Sequence, residues 1–259
     1  MRRLTLPVVI LASVAIAALL TWIALSSASF GERASRGEAP ATRAEPVTRA
    51  LPPFARLDVS GTAEVMLVQG TAESVSVATD GRKRGRIDAE VRDGTLFVRS
   101  TDSSRWWDMV FGGGSGRAPH VVVTFRDLTA IEAAGTVKLS ADAVRADDLT
   151  IAGAGGTAIR INDLTARSLR VAGAGALKAE LAGSVTDQTV TISGAGEYLG
   201  GRLASQNATV TVAGAGQVVV KAEKTLKASI SGAGSVEYIG DPQVTERISG
   251  AGRVRRRDA

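Results

Sequence analysis

"ISGAG" occupies residues 230–234, and the same five-letter pattern returns as "IAGAG" at 151, "VAGAG" at 171, "ISGAG" at 192, "VAGAG" at 212 and "ISGAG" at 248. Alternating glycine and alanine makes a weak strand and a poor core, because glycine loses more backbone entropy on folding than any other residue and has no side chain to bury. A pattern that is locally unfavourable and still repeated points to a constraint set by the architecture.

Aligned on the apolar residue that opens each copy, the units start at Ile131, Ile151, Val171, Ile192, Val212, Ile230 and Ile248, at intervals of 18 to 21 residues. A period near 20 is the mark of a solenoid, in which each unit buries its apolar face only by stacking on its neighbours. The second and fourth positions after the opener hold the glycine pairs Gly153 and Gly155, Gly173 and Gly175, Gly194 and Gly196, Gly214 and Gly216, Gly232 and Gly234, Gly250 and Gly252. Apolar residues then follow with period two, as in Val137 and Leu139 or Val218 and Val220, which is a strand signature. No stretch keeps a helical spacing free of glycine pairs or Thr/Val runs, and "ND" and "GDP" read as turns. The expected fold is all-β: a parallel β-helix with one coil per 20 residues or so.

Stacked coils place equivalent positions one above another at the strand spacing of about 4.8 Å. A repeated glycine then means that every coil makes the same tight bend, or presses its backbone against something, at the same edge. The alanine between the glycines, from Ala134 to Ala251, has two readings. Strict alternation points it outward with Ala152, Ala172, Ser193, Ala213, Ser231 and Ser249, forming a flat Ala/Ser stripe. A bend that flips the parity would instead tuck the alanines into a narrow inner corner.

Upstream, "VSGTAEVML" (59–67) matches the template in degenerate form, with Gly61, Thr62 and Ala63 in the Gly-Ala-Gly slot. "SVSVAT", "RIDAEV", "TLFVRS" and "HVVVTF" are strand-like without the motif. Residues 51–259 therefore read as one β domain whose regular coils begin near Ala130. Its last residues, "AGRVRRRDA", put Arg253, Arg255, Arg256 and Arg257 on an open strand edge, where charge discourages edge-to-edge pairing.

Residues 1–30 carry a different signal. After "MRR" no charge appears until Glu32, and the apolar run is about 20 residues long, enough to span a bilayer. Residues 4–28 are thus expected to form a membrane anchor with Arg2 and Arg3 on the cytoplasmic side, the alternative being a signal peptide cleaved near Ala28. Residues 31–50, "GERASRGEAPATRAEPVTRA", lack apolar periodicity and read as a flexible linker. The β domain is then exported, on the periplasmic or extracellular side. A pI near 10.0 in such a setting favours anionic envelope polymers or lipid head groups over nucleic acid as partners.

There are no cysteines and a single histidine, His120, which removes thiol chemistry and multi-histidine metal sites. "FGGGSGR" lacks both the GxxxxGK[ST] pattern and a following helix, so no phosphate loop is expected. Asp142, Asp147, Asp148, Asp163 and Asp187 fall where turns are expected and read as turn residues. No catalytic residue, metal or cofactor is anticipated. The stretch "SSRWWDMVFGGGSGR" (103–117) breaks the repeat, and Trp106, Trp107 and Phe111 are its candidate ligand-binding residues, either stacking on sugar rings or folding back as a lid over the solenoid.

The Gly-Ala-Gly coils, the opening "FARLDVSGTAEVMLVQG" and "IDAEVRDGTLFVRS" behind an export signal resemble the bacterial head GIN domain family, described as putative auto-transporter adhesins, over roughly residues 54–252. That resemblance implies a right-handed parallel β-helix in an extracytoplasmic setting. The expected function is a non-enzymatic binding or adhesion module of the cell envelope, with an envelope polysaccharide or protein as partner. The alternatives are a self-associating structural protein whose Ala/Ser stripe is the contact, and, more remotely, a carbohydrate-active enzyme.

Overall fold

Alternation with period two governs the whole β domain, and the computed structural model, which describes residues 47–78, 86–101 and 119–258, turns it into a stack of about five solenoid turns. The apolar span 4–28, the linker up to residue 46, the basic stretch 82–85 and the tryptophan segment 102–118 lie outside the described residues. Among the described residues there is no helix, and therefore none long and apolar enough to cross a membrane. Arg43–Ala259 forms one compact unit.

The strands are β1 (Val47–Ala50), β2 (Arg56–Gln69), β3 (Ser74–Ala78), β4 (Arg86–Arg92), β5 (Thr95–Thr101), β6 (His120–Phe125), β7 (Ala130–Gly175), β8 (Lys178–Gly194), β9 (Glu197–Gly214), β10 (Gln217–Gly232), β11 (Ser235–Ile239), β12 (Gln243–Gly250) and β13 (Arg253–Arg256). From β2 through β13 successive coils pair in parallel. β7 runs for 46 residues without a break in its extended backbone, turning corners as it goes. The "ND" at Asn162 and Asp163 therefore lies inside a strand, as do all five aspartates expected in turns, and three of them serve the stacking instead. Asn162 donates to Asp142 (3.2 Å), Asn207 donates to Asp187 (2.9 Å), and Arg167 pairs with Asp148.

At the N-terminal end the parallel stack gives way to antiparallel strands. β5 lies parallel on the first half of β2 and carries β4 antiparallel, through a turn in which Asp93 (φ 49°) and Gly94 (φ 70°) both take left-handed conformations. β6 lies parallel on the second half of β2, with β3 and then β1 antiparallel beyond it. At the other end β12 and β13 are edge strands, each paired on one side only.

The glycine pairs have a division of labour that motif alignment misses. In every coil one glycine of positive φ stands at the same edge, and these stack in a single column: Gly61, Gly135, Gly155, Gly175, Gly194, Gly214, Gly232 and Gly250. From Gly135 to Gly175 the bend uses the fourth position of the motif; at Gly61 and from Gly194 onward it uses the second. Gly175 thus sits on Gly194, and Val171 pairs with Val190, two residues from the Ile192 that the motif alignment matched to it. The same two-residue offset places Leu57, not Val59, beside Ile131.

Core volume at the corner explains the slip. In the lower coils the buried position before the bend is Gly153 or Gly173, and the space is filled from beyond the bend by Leu177, whose Cδ1 would lie 2.7 Å from a Cβ on Gly153. In the upper coils Ile192, Val212 and Ile230 hold the position before the bend, and glycine stands after it. A Cβ on Gly216 would meet Ile192 Cγ2 at 2.9 Å, and one on Gly234 would meet Val212 Cγ1 at 2.6 Å. Each corner accommodates one bulky side chain, on one side of the bend or the other. A shift of two residues leaves the inward and outward sides of the strand unchanged, so the exchange costs no rearrangement of the core.

One polar cluster is buried inside the upper coils. The Tyr198 hydroxyl donates to Gln188 Oε1 (3.1 Å), Gln188 Nε2 donates to Ser205 Oγ (2.7 Å), and Ser205 Oγ donates to the Lys221 carbonyl (2.7 Å). Burial pushes the Tyr198 phenol far up, so it stays a neutral donor.

The bend column yields a direct comparison. At Gly214 φ is +128° and a Cβ would stand 2.5 Å from the Gly194 carbonyl oxygen, whereas at Gly94 φ is +70° and a Cβ meets nothing within 4 Å. Gly214→Ala is expected to cost more than about 2 kcal/mol from strain and clash together, and Gly94→Ala about 1 kcal/mol from the left-handed backbone alone. Urea unfolding midpoints of the two variants measure the difference.

Candidate functional site

The strand segment that precedes the glycine bend presents one continuous outward face. Its outer columns follow from the register. Asp58 lies beside Glu132, Ala172 beside Thr191, Thr191 beside Thr211, Thr211 beside Ser229, and Ser229 beside Arg247. One position further on, Ser60 lies beside Ala134, Ala174 beside Ser193, Ser193 beside Ala213, Ala213 beside Ser231, and Ser231 beside Ser249. Ala134, Ala154, Ala174, Ser193, Ala213, Ser231 and Ser249 are exposed on this face. The alanines between the glycines are all exposed, but only Ala134, Ala154 and Ala174 precede the bend and join the stripe; Ala195, Ala215, Ala233 and Ala251 follow the bends at Gly194, Gly214, Gly232 and Gly250 and lie past the corner.

This face is chemically graded. Its lower half is floored by Ala134, Ala152, Ala154, Ala172 and Ala174, and over these alanines lies a shallow groove of about 320 Å³. Asp58 and Glu132 stand at one end of the groove, Thr191 and Ser193 at the other. The upper half carries Thr191, Thr211 and Ser229, which rise a heavy atom or two higher, and ends on Arg247; the neighbouring outward column runs from Arg56 and Ala130 at the lower end through Arg170, Thr189 and Thr209 to Lys227. Beyond Asp58 the face continues onto β5, where Arg99 lies over the Phe97 ring with its guanidinium carbon 5.4 Å from the centroid. Phe97, Arg99, Asp58, Glu132 and Arg247 escaped notice in the repeat because they fall on its degenerate first and last coils. Period-two parity extended through "TLFVRS" and "RLDVS" would have placed Phe97, Arg99 and Asp58 outside.

The tryptophan segment is located by its described ends. In every other coil the bend is made by the glycine column, but β5 runs up to the same edge, with Ser100 against Gly61, and the chain returns only at Pro119 and His120 on the far side of the corner. Residues 102–118, with Trp106, Trp107 and Phe111, join these two described ends and lie outside the described residues. Pro119 accepts a hydrogen bond from the Glu64 amide (3.1 Å), and His120 stands 3.4 Å from the Glu64 carboxylate.

After the bend, the outward side chains form charge ladders. Glu180 accepts from Arg160 (2.6 Å) and Arg202 (2.7 Å), and Lys178 pairs with Glu197 (2.8 Å). These exposed pairs sit on neighbouring coils and tie the stack together in register. Among the described residues there is no group of three His, Asp or Glu that could hold a metal ion.

The terminal arginines do more than guard an edge. Arg255 pairs with Glu237, Arg257 approaches the same carboxylate at 3.4 Å, and Arg256 reaches Asp241 at 3.3 Å. The Glu237 side chain is only 7% exposed while Arg255 is 63% exposed, so β13 is held to the coil below by an ion pair in which the carboxylate alone is shielded from water. The Arg255 guanidinium, hydrogen-bonded to it, holds the Glu237 carboxyl below its usual range against the opposing effect of burial. A carboxyl lowered in the folded state adds stability that is present above its unfolded pKa of about 4.5 and is lost as the pH falls through the folded value. The protection of the β13 amides, their exchange rate relative to the intrinsic rate at each pH, is therefore expected to fall below about pH 4.5, and Glu237→Gln is expected to show low protection at neutral pH with a flattened dependence over that range.

Comparison with known proteins follows the same boundaries. The family described as "Putative auto-transporter adhesin, head GIN domain" matches residues 53–242. Comparison with curated proteins gave no match. Among solved structures, one described as a putative adhesin from Bacteroides fragilis NCTC 9343 is 20% identical, with 83% of this chain and 98% of that chain covered at a TM-score of 0.67. Another putative adhesin, from Parabacteroides merdae ATCC 43184, is 17% identical over 82% of this chain and 95% of that one, at a TM-score of 0.61. A third, described as a putative lipid binding protein from Parabacteroides distasonis ATCC 8503, is 19% identical over 83% and 97%, at a TM-score of 0.56. At these identities the likeness is one of fold.

Proposed function

The chain belongs to the head GIN domain family, and from that premise we propose that it is a non-enzymatic adhesion module of the bacterial cell envelope, held at the membrane by residues 4–28 and carried outward by the linker 31–50. The observation that carries this reading is the disposition of the described surface. The carboxylates after the bend are largely engaged in ladders that hold the stack in register, Glu180 with two arginines and Glu237 with two more. The face before the bend is broad, flat and built from short side chains. Such a surface suits contact over area rather than chemistry at a point.

Recognition of an envelope polysaccharide is assigned to the segment 102–118. Its sequence sets two adjacent tryptophans and a phenylalanine beside a glycine-rich stretch, the residue types that stack on sugar rings, and the many arginines of the domain favour an anionic polymer.

Full-length protein in detergent, with and without Trp106→Ala and Trp107→Ala, incubated with labelled envelope polysaccharides, tests the reading. Retention by the parent protein and its loss in the double variant are expected, with polymer length unchanged and identical circular dichroism. Shortened polymer would establish an enzyme, and retention that survives in the double variant would remove the segment from the site.

A further inference from the structure

The C-terminal end of the solenoid is open sheet, and we propose that Glu246, an inward-facing carboxylate on its last full strand, keeps that end from joining the end of a second copy. This goes beyond the polysaccharide reading, because it concerns the strand edges of the stack and holds whatever the chain binds.

The open end carries the first argument. β12 pairs with β10 alone, so its other edge offers the unpaired amides and carbonyls of Gln243–Gly250. Its inward side chains continue columns that are apolar in the two coils below: Val244 follows Ala208 and Leu226, and Ile248 follows Val212 and Ile230. With no further coil over them, Val244 is 38% and Ile248 40% exposed, and these are the large apolar side chains left exposed among the described residues. A free edge lined in this way is a template for another strand. Between the two, at the end of the column of Val190, Val210 and Ala228, stands Glu246. Among the described residues nothing pairs with its carboxylate. A strand added to this edge must cover it, burying a charge that the column beneath leaves without a partner.

Each way of joining two ends meets this obstacle. Tail to tail, β12 pairs antiparallel with β12 of the second copy. Val244 opposite Ile248 sets the two Glu246 carboxylates directly against one another, like charges at the closest cross-strand distance. A slip of two residues keeps the inward side inward but sets each carboxylate against Val244 or Ile248.

Head to tail, β13 meets β1 and β12 meets β4. Arg49 lies opposite Val75, Val75 opposite Val123, and Val123 beside Leu67, so Arg49 also ends an inward apolar column. At the far end of the stack that column closes on Val220, Tyr238 and Arg256. Stacking therefore brings Arg256 onto Arg49, with Arg255 and Arg257 alongside. It also sets Glu246 against Val91, which continues the column of Leu57 and Leu96. Among charged residues the favourable meeting is Arg247 with Glu90, a carboxylate already held by Arg92 (2.6 Å). The ends differ in shape as well. Beyond β2 lie two strands before the bend, β5 and β4, and three after it, β6, β3 and β1, whereas β12 and β13 close one complete coil. A level end would meet a stepped one.

Sedimentation velocity of the full-length protein in detergent, with hydrogen exchange of the β12 amides that point away from β10, tests the proposal on the parent protein, Glu246→Val and Glu246→Lys. The parent protein and Glu246→Lys, each alone, are expected to leave these amides unprotected at every concentration, since a charge of either sign blocks the edge. Glu246→Val is expected to associate at least about tenfold more tightly than the parent protein, with the same amides protected in the associated species. An equimolar mixture of the parent protein with Glu246→Lys is expected to associate likewise, because the tail-to-tail pair then sets a carboxylate opposite an ammonium group. The position is exposed, so circular dichroism of all three proteins is expected to be identical, and association of the mixture certifies that Glu246→Lys is folded. A parent protein that already protects these amides by associating would overturn the proposal. So would the absence of association from both Glu246→Val and the mixture, or association that leaves the β12 edge unprotected. Polysaccharide retention measured on the same variants is expected to be unchanged, which separates failure of this proposal from failure of the glycan reading.

Discussion

The solenoid depends on one sharp bend repeated at the same height of every coil, closed by a residue with positive φ whose neighbour above and below is the same kind of residue. Where Gly214 lies over Gly194, the added Cβ of any other residue would strike a backbone carbonyl. The restriction is therefore steric as well as torsional, and no side chain can be traded in to relieve it. Everything else about the repeat follows from keeping this column straight. The strand before the bend must arrive in register with its neighbours, and the corner inside the bend must be filled by one bulky side chain per coil.

Two solutions to the corner coexist in one chain, and their junction explains both the constancy of the motif and its misalignment. Leu177 fills the corner from beyond the bend under Gly153 and Gly173, while Ile192 fills it from before the bend above Gly196 and Gly216. Between these two coils the bend moves from the fourth position of the motif to the second. The Gly-Ala-Gly triplet permits the change because either glycine can make the bend while the other vacates core space. A motif with a single glycine could serve one solution only.

The all-β class, the period, the inward positions and the degenerate first coil were legible in the sequence, because each rests on a local alternation that stacking reinforces. The register was not. "VAGAG" at 171 and "ISGAG" at 192 look equivalent, and only the contact of Leu177 with Gly173 reveals that they bend at different glycines. The antiparallel cap was equally hidden, since "RIDAEV" and "TLFVRS" alternate like any other strands and only the Asp93-Gly94 turn between them sets their direction. The aspartates were placed in turns because Asp usually marks them, but in a stack of coils an exposed corner is extended backbone, and Asp142 and Asp187 there accept hydrogen bonds from asparagines one coil away. The role of Glu237 was out of reach for the same reason, as its partners lie a full coil downstream.

The flat face is a by-product of the bend that has acquired a grading of its own. A tight bend in every coil suppresses the twist that strands otherwise accumulate, since coils must superpose at that edge. A flat, untwisted sheet with an exposed face is a template for further sheets, and solenoids must either blunt it or use it. The charge ladders after the bend, from Arg160 through Glu180 to Arg202, blunt the other side of the corner by covering it with long, paired side chains. Before the bend the cover is thinner: alanine, serine and threonine line most of the face, interrupted by the exposed arginines Arg56, Arg170 and Arg247.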